Sequence, residues 1–197
     1  MIELERDGDV HVLRMVAEDN RFNARFVTAL NQALDEVEGS TGSAALVTSG
    51  AGKFYSNGLD LEWMGGIAAE ELQEHMDNVH DTFIRMLTFP AITVAALNGH
   101  VFAAGAMFAL AHDYRVMRSD RGFFCLPEVD IKIPFTPQMD ILIRSRLPKV
   151  VAHEAMCTAR RYGGAEAADR QIVDHAVAEN EVLPRAIEIA QGLAGKD

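Results

Sequence analysis

Two short stretches decide how this chain reads: Lys53-Phe54-Tyr55-Ser56-Asn57-Gly58-Leu59-Asp60 and Asn98-Gly99-His100-Val101-Phe102-Ala103-Ala104-Gly105-Ala106. Each follows an apolar run that reads as a buried strand, and each leads through small residues into a helical pattern. The first N–H groups of a helix have no partner inside it and carry partial positive charge. Small residues at such a start let a ligand oxygen come close to the backbone. Two such starts converging on one point would make an oxyanion hole, a pair of N–H groups aimed at a developing negative oxygen. Spacing alone leaves the plainer alternative open, that both are tight strand-to-helix connections.

Upstream, partial alternation at 2–6 and 10–15 around Asp7-Gly8-Asp9 reads as an opening hairpin. Phe26, Val27, Leu30, Ala33, Leu34 and Val37 keep helical spacing and predict a helix over 24–37, with Asn23 as N-cap and Gly39-Ser40-Thr41-Gly42 as its end. Residues 44–48 read as a buried strand and 49–58 as a loop. Residues 59–64 read as a helix start with Asp60 in its first turn, broken by Gly65-Gly66. An amphipathic helix over 69–87 stopped by Pro90, a strand over 92–97 and a helix over 103–111 follow. Two short strands are expected at 114–117 and 123–125. Beyond Pro137 the pattern is helical throughout, at 139–146, 150–159, 165–170 and about 180–193. Strand–strand–helix units followed by helices, without repeat or linker, predict one α/β domain. Its core spans about 1–135 and its helical C-terminal part 136–197.

The 197 residues, 49% hydrophobic and 24% charged, suffice for a packed core without disulfides. Cys125 and Cys157 lack paired spacing and read as thiols. His75 and His80, five apart on one helix, do not share a face, so no metal site is expected. A net charge of −11 argues against a nucleic-acid partner but not against a phosphorylated ligand held by a few local groups. The apolar run 91–111 carries Asn98, Gly99 and His100 midway, which disfavours a membrane span. The N-terminus shows no secretory pattern and the C-terminus no peroxisomal or lipidation signal, so a cytoplasmic location is expected.

Together the two stretches resemble the crotonase, or enoyl-CoA hydratase/isomerase, family. Phe54 or Tyr55 through Leu61 is similar to its pattern Phe-Ser-x-Gly-x-Asp-Leu. The second stretch is similar to Asn-Gly-x-x-x-Gly-Gly-Gly followed by a helix that ends in Asp, here Asp113. The run 53–60, with Arg121-Gly122 and Glu128-Val129-Asp130-Ile131, looks closest to plant-type Δ3,Δ2-enoyl-CoA isomerases. The resemblance implies a crotonase-like spiral of ββα units. It implies an acyl-CoA substrate whose thioester oxygen is held by the N–H groups of Leu59 and Ala104. Ala103 and Ala104 stand where many relatives have glycine. The resemblance further puts Ala24, Ser56, Asn57, Gly58, Asp60, Gly105, Met107 and Pro127 around the substrate, and makes Lys53 and Arg25 candidate phosphate partners. It implies no cofactor beyond the substrate's coenzyme A, and a homo-oligomer, a trimer or dimer of trimers. Relatives continue past the position of Leu193 with helices that cover the acyl pocket.

Hydration in this family uses two glutamates flanking a water. One of these positions is Met107, while the other is present as Glu128 in Pro127-Glu128. A single carboxylate suits a 1,3-proton shift instead, with Met107 as part of a dry wall that raises the base's pKa. The expectation is therefore an enoyl-CoA isomerase with Glu128 as the catalytic base. The alternatives are a one-glutamate hydratase and a non-catalytic acyl-CoA-binding protein.

Overall fold

A computed structural model describes residues 1–42 and 44–196; Ser43 and Asp197, the last residue of the expected domain, lie outside the described residues. The chain opens with an antiparallel hairpin, β1 (Ile2–Asp7) and β2 (Val10–Met15), and continues into α1 (Ala24–Glu38). The Asn23 side chain accepts the Phe26 N–H at 3.0 Å and so caps α1 as its residue type predicts. Three further units repeat the order. They are β3 (Ala45–Gly50), β4 (Phe54–Ser56), α2 (Leu61–Met64) and α3 (Ala69–Leu87); then β5 (Ile92–Leu97), β6 (His100–Phe102) and α4 (Ala104–Leu110); then β7 (Tyr114–Arg118), β8 (Phe124–Cys125) and α5 (Glu128–Ile131). Helices α6 (Pro137–Arg146), α7 (Lys149–Thr158), α8 (Gly164–Asp169) and α9 (Val182–Leu193) follow, with strand β9 (His175–Val177) between the last two.

Both strands of the opening hairpin stay in one sheet, but within each of the three later units the two strands part company. The first joins a six-stranded sheet of order β1-β2-β3-β5-β7-β9, parallel from β2 onward. The second joins a three-stranded parallel sheet, β4-β6-β8. This is the spiral of ββα units expected from sequence.

Side-chain alternation splits the large sheet's two faces cleanly. Val10, Val12, Ala45, Val47, Val94, Ala96 and Val116 point to one side, where Val182, Ala186 and Ala190 of α9 cover them. Leu13, Met15, Leu46, Ala95, Leu97 and Met117 point to the other, into the main core with Phe22, Phe26, Phe83 and Phe108. Burial on both faces is why these strands read as apolar runs.

Three strands were not legible in the pattern, nor was the one-turn helix α5. The segment read as a loop over 49–58 contains β4, and β6 and β9 also went unseen. Each is three residues long, too short to show a period. β4 and β6 are strands because they lie beside each other, and β9 because β7 supplies its partner, with Val116 against His175.

A buried polar chain ties the two sheets to α4. The Phe108 carbonyl can only accept, so it takes the Nδ1–H of His112 at 2.8 Å. Burial holds His112 down to a pKa of about 4, so the ring is neutral and Nε2 is a bare acceptor. The Thr48 hydroxyl of β3 donates to that Nε2 at 2.8 Å, and the Tyr55 hydroxyl of β4 donates to Thr48 at 2.8 Å. Thr48→Val strips a partner from both neighbours and is expected to cost about 2–4 kcal/mol of unfolding free energy. Tyr55→Phe, which removes one donor and leaves the Thr48–His112 bond, is expected to cost about 1 kcal/mol. Urea denaturation of the two variants measures the difference.

Candidate active site

Parallel strands β4, β6 and β8 end on one side of the small sheet, and the segments that leave them are Asn57-Gly58-Leu59-Asp60, Ala103-Ala104 and Leu126-Pro127-Glu128. Ligand sites gather at the carboxyl ends of parallel strands because the chain turns away there and opens a crevice. Here the crevice is a cavity of about 300 Å³ lined by Arg21, Asn57, Leu59, Leu61, Glu62, Phe102, Ala103, Ala104, Pro127, Glu128, Ile131, Ile133 and Met139.

The two turns are pressed together. Gly58 has φ +85°, and a Cβ on it would sit 2.7 Å from the Ala103 Cβ and 3.2 Å from the Ala104 nitrogen. Only glycine fits this position, both for conformation and for space. Phe22 holds the turn from outside: its N–H donates to the Gly58 carbonyl at 2.8 Å and its carbonyl accepts the Asp60 N–H at 3.2 Å. That bridge leaves the Leu59 N–H unused. Ala104 is the first residue of α4, so its N–H has no acceptor within the helix. Neither N–H meets an acceptor among the described residues, and both residues line the cavity.

Ala103 lies at φ +50°, ψ −124°, a region that favours glycine. Its N–H is tied to the Cys125 carbonyl at 3.1 Å, and its own carbonyl accepts from Ala106 and Met107. The strained conformation is therefore imposed by β8 on one side and α4 on the other.

Glu128 begins α5 and is 4% exposed. Its Oε2 has no hydrogen-bond partner among the described residues. Burial in apolar surroundings raises its pKa to about 7, offset in part by a hydrogen bond to its own backbone N–H. A carboxylate poised near neutrality and short of partners is suited to take up and return a proton. Glu62, the other carboxylate lining the cavity, is exposed.

Of the residues expected from sequence, Asn57, Leu59, Ala104, Pro127 and Glu128 meet in this cavity. The others stand elsewhere or behind it. Ser56 is fully buried, donating to the Asn20 carbonyl at 2.7 Å and accepting the Gly58 N–H at 3.2 Å, so it braces the turn. Gly105 gives α4 room against Ser56: a Cβ there would lie 2.6 Å from the Ser56 side chain. Asp60 caps α2 through the Trp63 N–H and accepts from the Asn23 amide at 3.0 Å. Ala24 is exposed at the start of α1 and lines a separate groove between α1 and α3. Lys53 is exposed with its ammonium 5.1 Å from the Phe54 ring centre, and Arg25 is exposed beside the β1 edge. Met107 is 1% exposed in the main core and does not line the cavity. The apolar wall is built instead by Leu59, Phe102, Ile131, Ile133 and Met139.

Sequence reasoning missed Phe102, Ile131, Ile133 and Met139, together with Arg21, Leu61 and Glu62. Ile131 carried a usable signal, since it stands one helical turn after Glu128 on the same face. Met139 carried none, because α6 reaches the cavity only through the chain's path after α5. Arg21 is braced at the rim by Asp19 at 2.8 Å, which also accepts from the Asn57 amide at 3.3 Å.

Comparison with known proteins agrees with this architecture. The family described as enoyl-CoA hydratase/isomerase matches residues 7–197. "Enoyl-CoA delta isomerase 3" of Arabidopsis thaliana is 34% identical, with the alignment covering 100% of this chain and 86% of that protein. A putative enoyl-CoA hydratase of Thermus thermophilus is 30% identical over 98% of this chain and 78% of its own length. The crystal structure of an enoyl-CoA hydratase from Mycobacterium marinum superposes with a TM-score of 0.91 at 25% identity, covering 100% of this chain and 85% of that one. The chain belongs to the enoyl-CoA hydratase/isomerase family. It has the crotonase-like fold and is an acyl-CoA enzyme of that family.

Two outcomes follow for stability. Relieving the strain at Ala103 by Ala103→Gly, less the chain entropy that glycine adds, is expected to raise stability by about 1 kcal/mol and Tm by about 2–4 °C. Calorimetry tests this. Glu128 binds its proton more tightly folded than unfolded, so its contribution is fully present below pH 4.5 and lost as pH rises through about 7. Relative to Glu128→Gln, the wild type is expected to lose about 3 kcal/mol between pH 4 and pH 8, read from denaturation series at both pH values.

Proposed function

We propose that this protein converts 3-enoyl-CoA to trans-2-enoyl-CoA by a 1,3-proton shift. The observation that carries the proposal is a single buried carboxylate, short of hydrogen bonds, in an apolar cavity that two unused backbone N–H groups also line. The Glu128 carboxylate removes a proton from C2 of the substrate. The C2–H electrons become the C1–C2 π bond of a dienolate, whose thioester oxygen takes negative charge beside the Leu59 and Ala104 N–H groups. As the electrons return, the double bond forms between C2 and C3, C4 takes the proton from Glu128, and the carboxylate is regenerated. Donors already aimed at the developing charge need no reorganisation, and losing one such donor costs about 2.7–4 kcal/mol of barrier. The apolar wall keeps water from quenching the dienolate. The similarity to Arabidopsis thaliana proteins described as enoyl-CoA delta isomerases supports the choice of reaction.

Hydration is the second reading, favoured by Glu62. It is a second carboxylate on the cavity's lining, and with Glu128 it could hold a water. Incubation with 3-enoyl-CoA and with 2-enoyl-CoA, following both products, separates the readings. Isomerisation predicts that only the 3-enoyl ester is consumed; 3-hydroxyacyl-CoA formed from the 2-enoyl ester would replace it, and acyl-CoA binding without turnover would leave a binding protein.

Because the base acts deprotonated, kcat/KM for 3-enoyl-CoA is expected to fall about tenfold per pH unit below about pH 7. Glu128→Gln is expected to lower kcat by about 10³-fold or more while acyl-CoA affinity stays within a few-fold, measured by turnover and calorimetric titration.

A further inference from the structure

His75 lies on α3, outside the cavity, and is only 3% exposed. Its Nε2 is 3.2 Å from the Phe22 carbonyl, which can only accept, so Nε2 carries the ring proton and donates. Its Nδ1 is buried with no partner among the described residues. A buried, half-satisfied imidazole is costly, and a leucine would fill the same space without that cost. Such a group in a native structure calls for a reason.

The Phe22 carbonyl supplies one. It takes two hydrogen bonds, from His75 and from the Asp60 N–H, while the Phe22 N–H holds the Gly58 carbonyl. Phe22 thus clamps both peptide groups that flank Leu59. The His75 ring also packs edge-on against Trp63 of α2, with centroids 4.7 Å apart, so it touches the segment again just beyond Asp60. The Phe22 ring is fully buried against Phe26, Phe83 and Phe108, the last of these on α4. His75 therefore sets one end of a chain that runs through Phe22 to the turn carrying one candidate donor and to the helix carrying the other. Burial lowers the His75 pKa, which keeps the ring neutral and leaves a single donor for this bond.

We propose that His75 is a positioning residue for the oxyanion donors, orienting the Leu59 N–H through the Phe22 carbonyl without touching the substrate. This rests on the assignment of Leu59 and Ala104 as donors to the thioester oxygen. A donor tilted or moved by a fraction of an ångström loses transition-state stabilisation more than ground-state binding. His75→Leu is expected to lower kcat by about 10- to 100-fold with KM within about threefold of wild type. His75→Gln, whose amide N–H reaches the same carbonyl, is expected to restore most of the loss.

The direct readout is infrared difference spectroscopy of bound butyryl-CoA labelled with carbon-13 at the thioester carbonyl. Hydrogen bonds to that oxygen lower its stretching frequency, and the saturated ester cannot react. The wild type is expected to show the lowered frequency, His75→Leu a smaller displacement, and His75→Gln a near-complete recovery. If His75→Leu does not fold, His75→Asn replaces it: its shorter arm cannot reach the carbonyl, so it must fall below His75→Gln in both kcat and displacement. A full displacement and full kcat in His75→Leu, or equal values in His75→Asn and His75→Gln, would overturn the proposal alone. No displacement in the wild type would remove the donor assignment itself, and this proposal with it.

Discussion

The site depends on one close contact, the turn after β4 pressed against the turn after β6. Gly58 leaves no room for a side chain against Ala103, and the nitrogen of Ala104 lies just beyond. Close packing of this kind transmits position, since neither turn can move without the other. It also explains the arrangement behind it. Gly105 brings α4 down onto Ser56, Ser56 ties the first turn to the Asn20 carbonyl, and Phe22 grips both sides of Leu59. These side chains do no chemistry, yet they decide where two peptide N–H groups sit.

The cost of this arrangement is visible in the residues it strains. Ala103 is held at positive φ because its N–H belongs to β8 and its carbonyl to α4. Glu128 is kept among apolar side chains with an oxygen that no described residue satisfies. His75 is buried with one nitrogen bare. Each would be a defect in a purely structural protein, and all three bear on the cavity or on the turn that lines it. Rigid supports elsewhere, such as the Tyr55–Thr48–His112 chain and the Phe22–Phe26–Phe83–Phe108 cluster, offset the destabilisation. Stability is drawn from the core and given up at the cavity and its supports.

Much of the fold was legible in the sequence because long elements carry a period. The helices over 24–37 and 69–87 and the strands over 10–15 and 92–97 declared themselves through spacing, and the structure places them within a residue or two. The cavity was legible where a motif is local: the small residues mark two strand-to-helix turns, and the resemblance to the crotonase family singles out Asn57, Leu59, Ala104 and Glu128, which the structure brings to one cavity. Met107 shows the limit. Sequence correctly finds no acidic group there, but it cannot tell a cavity wall from the interior, and the side chain points into the core.

What the sequence determined by itself was the set of periodic elements and the family. Each of these is carried by neighbours in the chain, whose spacing is preserved in the text of the sequence. Only the tertiary structure decided that β4, β6 and β9 are strands, that α6 closes the cavity with Met139, and that His75 reaches the Phe22 carbonyl. Those relations join residues far apart in the chain. A three-residue strand has no period, and a hydrogen bond across 53 positions leaves no mark on spacing.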